Sequence, residues 1–252
     1  MEIKWKDKES NLSILCNELE NLHPQTDLLI LPEMFSTGFL TGDKEDIRPL
    51  AERNTGPTID LIKSLAKKHQ IAIAGSYIAD SGGSLYNRAF FIEPNGEESF
   101  ADKKHLFTPA GEDKVFSHGY DRMQVRFRGW NISMIVCYDI RFPVWCRNKN
   151  NEYDLLISVS NWPTVRVDAL NKLLYARAIE KLSYVCGVNC SGIDNKGFEY
   201  GGEAWAIDFK GKDMTKTIEG SKIKYASLDF IKLNAFREKF PAWKDADKFQ
   251  IL

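Results

Sequence analysis

Cys137 closes the apolar run Ile132-Ser133-Met134-Ile135-Val136 and is followed at once by Tyr138-Asp139-Ile140-Arg141-Phe142-Pro143. A strand that ends in cysteine and turns into a Phe-Pro helix start puts sulfur where backbone N–H groups and the helix dipole favour a thiolate, the place for a nucleophile. A nucleophile needs a base. Glu33 stands in Leu31-Pro32-Glu33-Met34-Phe35, directly after a run apolar enough to be interior. A carboxylate at the mouth of a core loses hydration, which raises its pKa toward the range useful for proton abstraction. Lys103 and Lys104 are adjacent, so one can face a cleft while the other faces water. An ammonium aimed at a developing oxyanion contributes on the order of 3 kcal/mol. Glu112, in Pro109-Ala110-Gly111-Glu112, lies in a loop able to return to the same mouth. The rival constellation pairs Cys137 with His105 or His118 as base. Spacing alone does not choose between glutamate and histidine. Taken singly, each residue also has an ordinary reading: a free cysteine is a small buried hydrophobe, a strand-end glutamate is solvated, and a histidine beside Leu106 and Phe107 is a hydrogen-bonded core residue. Cys16, on a helix stripe, and Cys186 and Cys190, on one face of a strand, are read as core.

The elements that must position these groups alternate along 252 residues with short connections and no low-complexity linker, which argues for one domain over residues 1–252. Leu12, Leu15, Cys16, Leu19 and Leu22 recur at helical spacing after a Ser10 or Asn11 cap, and Asp27 to Leu31 follows as a strand. Pro57 opens a helix with Ile59, Ile62, Leu65 and Ala66 on one stripe, ahead of a strand from Ile71 to Ile78. Leu85 to Ile92 and the segment after Pro94-Asn95-Gly96-Glu97 read as a hairpin leading to the lysines. Strands at Met123 to Phe127 and Trp130 to Val136 come next, then a helix from Phe142 to about Lys149 and a strand from Asp154 to Val159. A helix from Val167 to Lys181 turns Leu170, Leu173, Leu174 and Ala178 inward before a strand from Tyr184 to Cys190. Later strands cover Glu203 to Ile207 and Ile223 to Leu228. The fold class is α/β or α+β, with two mixed sheets packed face to face under outer helices.

Lysine plus arginine (34) nearly cancel aspartate plus glutamate (35), which argues against nucleic acid or an anionic membrane as partner and for a small ligand. The five cysteines form no C-x-x-C pair and no zinc spacing, so reduced thiols in the cytoplasm are expected. The charged N-terminus is unlike a signal peptide, and no apolar stretch reaches the roughly 18 residues of a membrane span.

Taken in order, Leu31-Pro32-Glu33-Met34-Phe35, Asp102-Lys103-Lys104-His105-Leu106-Phe107 and Cys137-Tyr138-Asp139-Ile140-Arg141-Phe142-Pro143 resemble the Glu, Lys and Cys motifs of the nitrilase superfamily of carbon–nitrogen hydrolases. The resemblance continues through Ser160-Asn161-Trp162-Pro163, Ala176-Arg177-Ala178-Ile179-Glu180 and Gly187-Val188-Asn189. Pro32 to Phe39 and the Ser-Asn-Trp-Pro run are most similar to the bacterial omega-amidases. That likeness implies a four-layer α-β-β-α sandwich, a homodimer or higher homo-oligomer, and a site without cofactor or metal. It assigns catalysis to Lys103 rather than Lys104, makes Glu112 the second glutamate beside the triad, and leaves His105 structural. Two departures are expected to matter: the N-terminal strand is short or missing, and Cys190 stands where many relatives carry arginine, which could loosen an ion pair or alter substrate choice.

The implied reaction is hydrolysis of a small linear amide through a cysteine thioester. Glu33 takes the Cys137 proton, while Lys103 and the Tyr138 backbone N–H hold the oxyanion. Glu112 keeps Lys103 or the leaving group in register, Trp162 forms an apolar wall, and Arg166 grips a substrate carboxylate. The substrates implied are 2-oxoglutaramate and 2-oxosuccinamate. The alternatives are an N-carbamoyl or aliphatic amidase of the same superfamily, a Cys-His thiol protease, and a non-catalytic binding module.

Overall fold

The computed structural model describes residues 1–219 and 221–247. Helix α1 (Lys8–Leu19) begins at Asp7, whose side chain accepts from the Ser10 N–H at 3.0 Å. The cap is therefore Asp7 rather than Ser10 or Asn11. Asn11 is buried instead, its Nδ2 donating to the carbonyls of Lys4 and Ser36. Strand β1 (Leu28–Ile30), the short α2 (Lys44–Ile47) and α3 (Pro57–His69) lead into β2 (Ala72–Ser81), β3 (Ser84–Ile92) and β4 (Glu98–Asp102). These four strands form one sheet in the order β1-β2-β3-β4, parallel at β1/β2 and antiparallel elsewhere.

The second sheet is built from β5 (Met123–Phe127), β6 (Trp130–Val136), β7 (Leu155–Ser160), β8 (Tyr184–Asn189) and, further along the chain, Ala204–Ile207. Helix α4 (Val167–Lys181) connects β7 to β8, and the parallel pairs β6/β7 and β7/β8 lie at its centre. The small hairpin β9 (Ser191–Ile193) and β10 (Glu199–Gly201) precedes that last strand, β11. Two-residue strands β12 (Lys216–Thr217) and β13 (Lys224–Tyr225) and helix α5 (Phe230–Lys239) complete the order.

Alternation along the strands explains the four layers. On β3, Phe90 and Ile92 join a cluster with Ile59, Ile62, Leu65 and Ala66 of α3 and Leu15 and Leu19 of α1. Ala89 and Phe91 point the other way, into a core shared with Met134, Val136, Ile157 and Val159 of the second sheet. Leu170, Leu174 and Ala178 of α4 and Leu233 of α5 cover that sheet from outside. A Cβ at Gly187 of β8 would lie 2.5 Å from Leu174 Cδ1, so glycine there lets α4 sit close against the sheet.

Two expected elements differ. After Cys137 there is a single 3₁₀ turn, Cys137–Arg141, and no α-helix from Phe142 to Lys149. Asn148 explains why: its side chain donates to the carbonyls of Tyr153 and Lys181 and accepts from the Tyr153 N–H, fixing the chain in a non-helical path. The strand expected from Ile223 to Leu228 shrinks to Lys224–Tyr225, paired only with Lys216–Thr217. Helices α2 and α5, too short and weakly patterned to stand out in the sequence, were not expected. At the N-terminus, pairing amounts to one parallel bridge, Glu2 with Ser191, supported by the Ile3 N–H to the Ser191 carbonyl at 2.9 Å. Among the described residues no helix is long and apolar enough to cross a membrane.

Candidate active site

The candidate residues emerge where β1, β4 and β6 end. Past β1, the Leu31 N–H still bonds to the Ala74 carbonyl, and the chain then turns sharply, with Met34 at φ +44°. Ser76 holds that turn: its Oγ accepts from Met34 N–H and its carbonyl from Phe35 N–H. Asn161 Nδ2 donates to the Glu33 carbonyl at 3.0 Å, so the end of β7 braces the glutamate's backbone. Past β4, the Lys103 N–H bonds to the Asn87 carbonyl at 2.9 Å and its carbonyl accepts from Gly119 at 2.8 Å. A Cβ at Gly119 would sit 2.1 Å from the Asp102 carbonyl oxygen, so only glycine closes this loop.

Cys137 takes φ +50° at the head of its 3₁₀ turn, a left-handed backbone that costs a non-glycine residue about 1–2 kcal/mol. Asp139 secures the turn. Its Oδ2 accepts from the Val136 N–H at 3.1 Å, while Oδ1 accepts from the His105 N–H at 2.9 Å and lies 2.8 Å from His105 Nδ1. From outside, Arg177 of α4 donates to the Ile140 carbonyl at 2.7 Å. One carboxylate thus ties the cysteine turn to the lysine loop.

Glu33, Lys103 and Glu112 are all buried. Lys103 Nζ lies 3.0 Å from Glu33 Oε1, 3.0 Å from Glu112 Oε1 and 2.9 Å from Glu112 Oε2. Burial alone would push the ammonium down, but the Glu112 and Glu33 carboxylates hold it well above the usual lysine range. Burial raises the Glu112 carboxyl against the opposing pull of Lys103, and the Glu33 charge adds to the rise. The Cys137 thiol is pushed well up, first by burial and then by Glu33, against the lowering effects of Lys103 and the Asn161 backbone N–H. This runs against the expectation of a dipole-stabilised thiolate: one 3₁₀ turn has little dipole, and burial beside a carboxylate favours the neutral thiol. The thiol therefore needs a base. Glu33 Oε2 is buried without a hydrogen-bond partner, while Oε1 is taken by Lys103 and by Asn87 Nδ2 at 2.8 Å.

The other expected residues separate clearly. Lys104 turns outward, its ammonium 4.9 Å from the Tyr120 ring centroid and 5.8 Å from that of Trp145. His105 stacks on Phe142 with ring centroids 3.7 Å apart, and its Nδ1 is engaged with Asp139. His118 Nδ1 meets the Gly119 carbonyl at 3.3 Å. Neither histidine pairs with Cys137. Cys190 is buried in the core between α1 and the first sheet, an apolar setting that needs no ion pair.

Cys137 and Tyr138 open onto a cavity of about 340 Å³ walled by Phe39, Leu40, Phe107, Trp162 and Tyr200. Trp162 is fixed by Asn189, which accepts from its N–H and donates to its carbonyl, each at 2.8 Å. Arg166 reaches the rim with its guanidinium 5.1 Å from the Phe107 ring centroid. Arg141, on the cysteine turn itself, lies 4.8 Å from the Trp162 centroid and lines the same cavity. Asn87, Asp139, Asn161 and Arg141 were not singled out from the sequence. Asn87 stands between Tyr86 and Arg88 in Ser84–Ile92, so the local pattern does not mark it, whereas Asp139 and Arg141 lie inside the cysteine motif itself.

The profile of the carbon-nitrogen hydrolases matches residues 1–238. The chain is 38% identical over 249 residues to a protein named Omega-amidase YafV from Yersinia enterocolitica, covering 98% of this chain and 94% of that one. It is 31% identical over 234 residues to the 2-oxoglutaramate amidase of Bacillus subtilis (strain 168), covering 92% and 88%. The crystal structure of XC1258 from Xanthomonas campestris, described as a CN-hydrolase superfamily protein with an arsenic adduct in the active site, superposes with a TM-score of 0.93. That pair shares 36% identity and covers 100% of this chain and 96% of the other. With the two-sheet sandwich, the ordered Glu, Lys and Cys motifs and near full-length similarity all in agreement, the chain belongs to the carbon-nitrogen hydrolase family.

Proposed function

We propose that this enzyme cleaves the terminal amide of short dicarboxylic keto acids, such as 2-oxoglutaramate and 2-oxosuccinamate, to the dicarboxylate and ammonia. The observation that carries the reading is geometric: Cys137 opens onto the cavity, and in the buried cluster behind it Glu33 has one carboxylate oxygen unpartnered while its other oxygen and Glu112 clamp the Lys103 ammonium. The likeness to proteins named omega-amidase and 2-oxoglutaramate amidase supports the substrate class.

Glu33 Oε2 accepts the Cys137 proton as Sγ bonds to the amide carbon. The carbonyl π electrons move onto oxygen, where Lys103 and the Tyr138 N–H stabilise the charge. Tyr138 sits at the start of a 3₁₀ turn, whose first N–H groups have no acceptor within the helix. The oxyanion collapses and the C–N bond breaks. The departing nitrogen takes the proton from Glu33 and leaves as ammonia, and a thioester remains on Cys137. Water then gives a proton to Glu33 while its oxygen attacks the thioester. The C–S bond breaks, and the sulfur recovers its proton from Glu33. Glu112 holds Lys103 in place throughout. Trp162 walls the cavity, and the guanidiniums at its rim favour a substrate with a carboxylate opposite its amide. In the same reading, residues 1–252 are one hydrolase domain that works in the cytoplasm as a homodimer or larger homo-oligomer.

The test compares kcat/KM for 2-oxoglutaramate and for an uncharged amide of equal length, in the wild type and in Arg166→Ala. Arg166 is exposed and Arg141 shares the rim, so the loss on the keto acid is expected to be about tenfold, with little change on the uncharged amide. Equal losses on both would remove Arg166 from substrate binding. A wild type that favours uncharged amides or carbamoyl compounds would overturn the substrate class and leave the Glu-Lys-Cys chemistry standing.

A further inference from the structure

Asn87 lies fully buried in β3, opposite Ile78 of β2. Its Nδ2 donates to Glu33 Oε1 at 2.8 Å and to Glu112 Oε1 at 3.3 Å, and its backbone carbonyl accepts from the Lys103 N–H. The amide orientation follows from these partners. Ionised carboxylates only accept, so the opposite orientation would set Oδ1 against Glu33 Oε1. The consequence is an Oδ1 that is buried with no hydrogen-bond partner. An unsatisfied buried acceptor costs stability that an apolar residue in this strand would not, so packing does not explain asparagine here.

The arrangement has a chemical effect. Glu33 Oε1 receives two donors, Asn87 and Lys103, and Oε2 receives none. Because both Oε1 atoms face donors, the two carboxylates cannot share a proton between those oxygens. We propose that Asn87 is a positioning residue for hydrolysis: its amide N–H groups occupy Oε1 of Glu33 and Glu112 and reserve Glu33 Oε2 for the proton of Cys137. The inference rests on the reading of Glu33 as the base. The charged and titratable groups around this point are Glu33 from the turn after β1, Lys103 from the end of β4, Glu112 from its loop and Cys137 from the turn after β6. The Cys190 thiol, just past β8, also feels the Glu33 charge.

The test is single-turnover acylation and the pH dependence of kcat/KM for Asn87→Leu and Asn87→Ser, beside Glu33→Gln. Loss of the donors makes the carboxylates easier to protonate, so the active form disappears at a higher pH as the solution is acidified. For Asn87→Leu, acylation should fall ten- to a hundredfold with KM within about threefold, and the acid limb should move up by about one pH unit. Asn87→Ser, with one O–H to donate, should fall between Leu and wild type, and it carries the test if the Leu variant does not fold. An unchanged acid limb in a folded variant, or a loss confined to KM, overturns the inference. An active Glu33→Gln overturns the base assignment itself. An inactive Glu33→Gln beside a wild-type-like Asn87→Leu removes only the role of Asn87.

Discussion

Replacing Lys103 with methionine tests the centre of the site, because one ammonium there answers to two carboxylates. Each contact is close to 3.0 Å. At an effective dielectric of about 20, a unit charge pair at that distance is worth about 5.5 kcal/mol, and two such pairs outweigh the desolvation that would otherwise discharge the lysine. Methionine recovers the desolvation of the ammonium but leaves Glu33 and Glu112 buried and facing each other. Breaking a buried pair from one side costs about 3–5 kcal/mol. Glu112, whose carboxyl is already held above the usual range, can take up a proton and limit the loss to about 3 kcal/mol at pH 7. The sign with pH follows. A carboxyl raised in the folded state favours folding below its unfolded pKa and loses that contribution as pH rises through the folded value, so the Lys103→Met penalty should shrink toward pH 4.5. Urea unfolding at pH 5 and pH 7 measures this. Catalysis should suffer separately, with acylation down about 100-fold or more in single-turnover kinetics. Lys104→Met removes only a half-buried contact with aromatic rings, worth about 0.5–1 kcal/mol, and should leave acylation within about twofold. A reversed ranking would refute the assignment of the lysines. A destabilised Lys103→Met that still acylates at the wild-type rate would reduce Lys103 to a counter-ion.

Two further outcomes follow from the cysteines. Cys137→Ala should fold yet not turn over, and Cys137→Gly should be the more stable of the two by about 1 kcal/mol because glycine accepts φ +50° without strain; mass spectrometry of wild type quenched during turnover should find the acyl group on Cys137, and an adduct on Cys16, Cys146, Cys186 or Cys190 would sink the assignment. The Cys146 thiol is pushed up to about 12 by burial, so it favours folding below the unfolded thiol value near 9 and loses that contribution as pH rises toward 12. Cys146→Ala should accordingly flatten the decline of unfolding free energy above pH 9 by about 1.4 kcal/mol per pH unit, and an unchanged slope in alkaline urea titrations would contradict the burial argument.

Much of the architecture was legible in local pattern. The strands Met123–Phe127 and Trp130–Val136 and the helix Val167–Lys181 have the bounds their apolar patterns predict, since each buries apolar residues against a neighbour in the core, although the helix leaves Leu173 half-buried and buries Arg177 and Lys181 as well. The elements that escaped pattern were those decided by single side chains. Asn148 draws the chain after Cys137 out of a helix through bonds to Tyr153 and Lys181, the second of which is remote in sequence.

For the site, the sequence by itself determined which chemical types were present and in what order: a thiol after one interior strand, a carboxylate after another, paired lysines and a second glutamate. Residue types and spacing left open which lysine turns inward and whether glutamate or histidine faces the sulfur, because side chains next to each other in sequence can point to opposite sides; only the family resemblance chose Lys103 and Glu33. Tertiary structure decided both. Lys103 enters the interior because Glu33 and Glu112, from two different loops, converge on its ammonium, whereas Lys104 faces Tyr120 and Trp145. His105 is claimed by Asp139 and Phe142. The upward push on the Cys137 thiol has the same origin: it depends on how much water the assembled sheets exclude and on a carboxylate that sequence places far away, and neither can be read from the residues beside the cysteine.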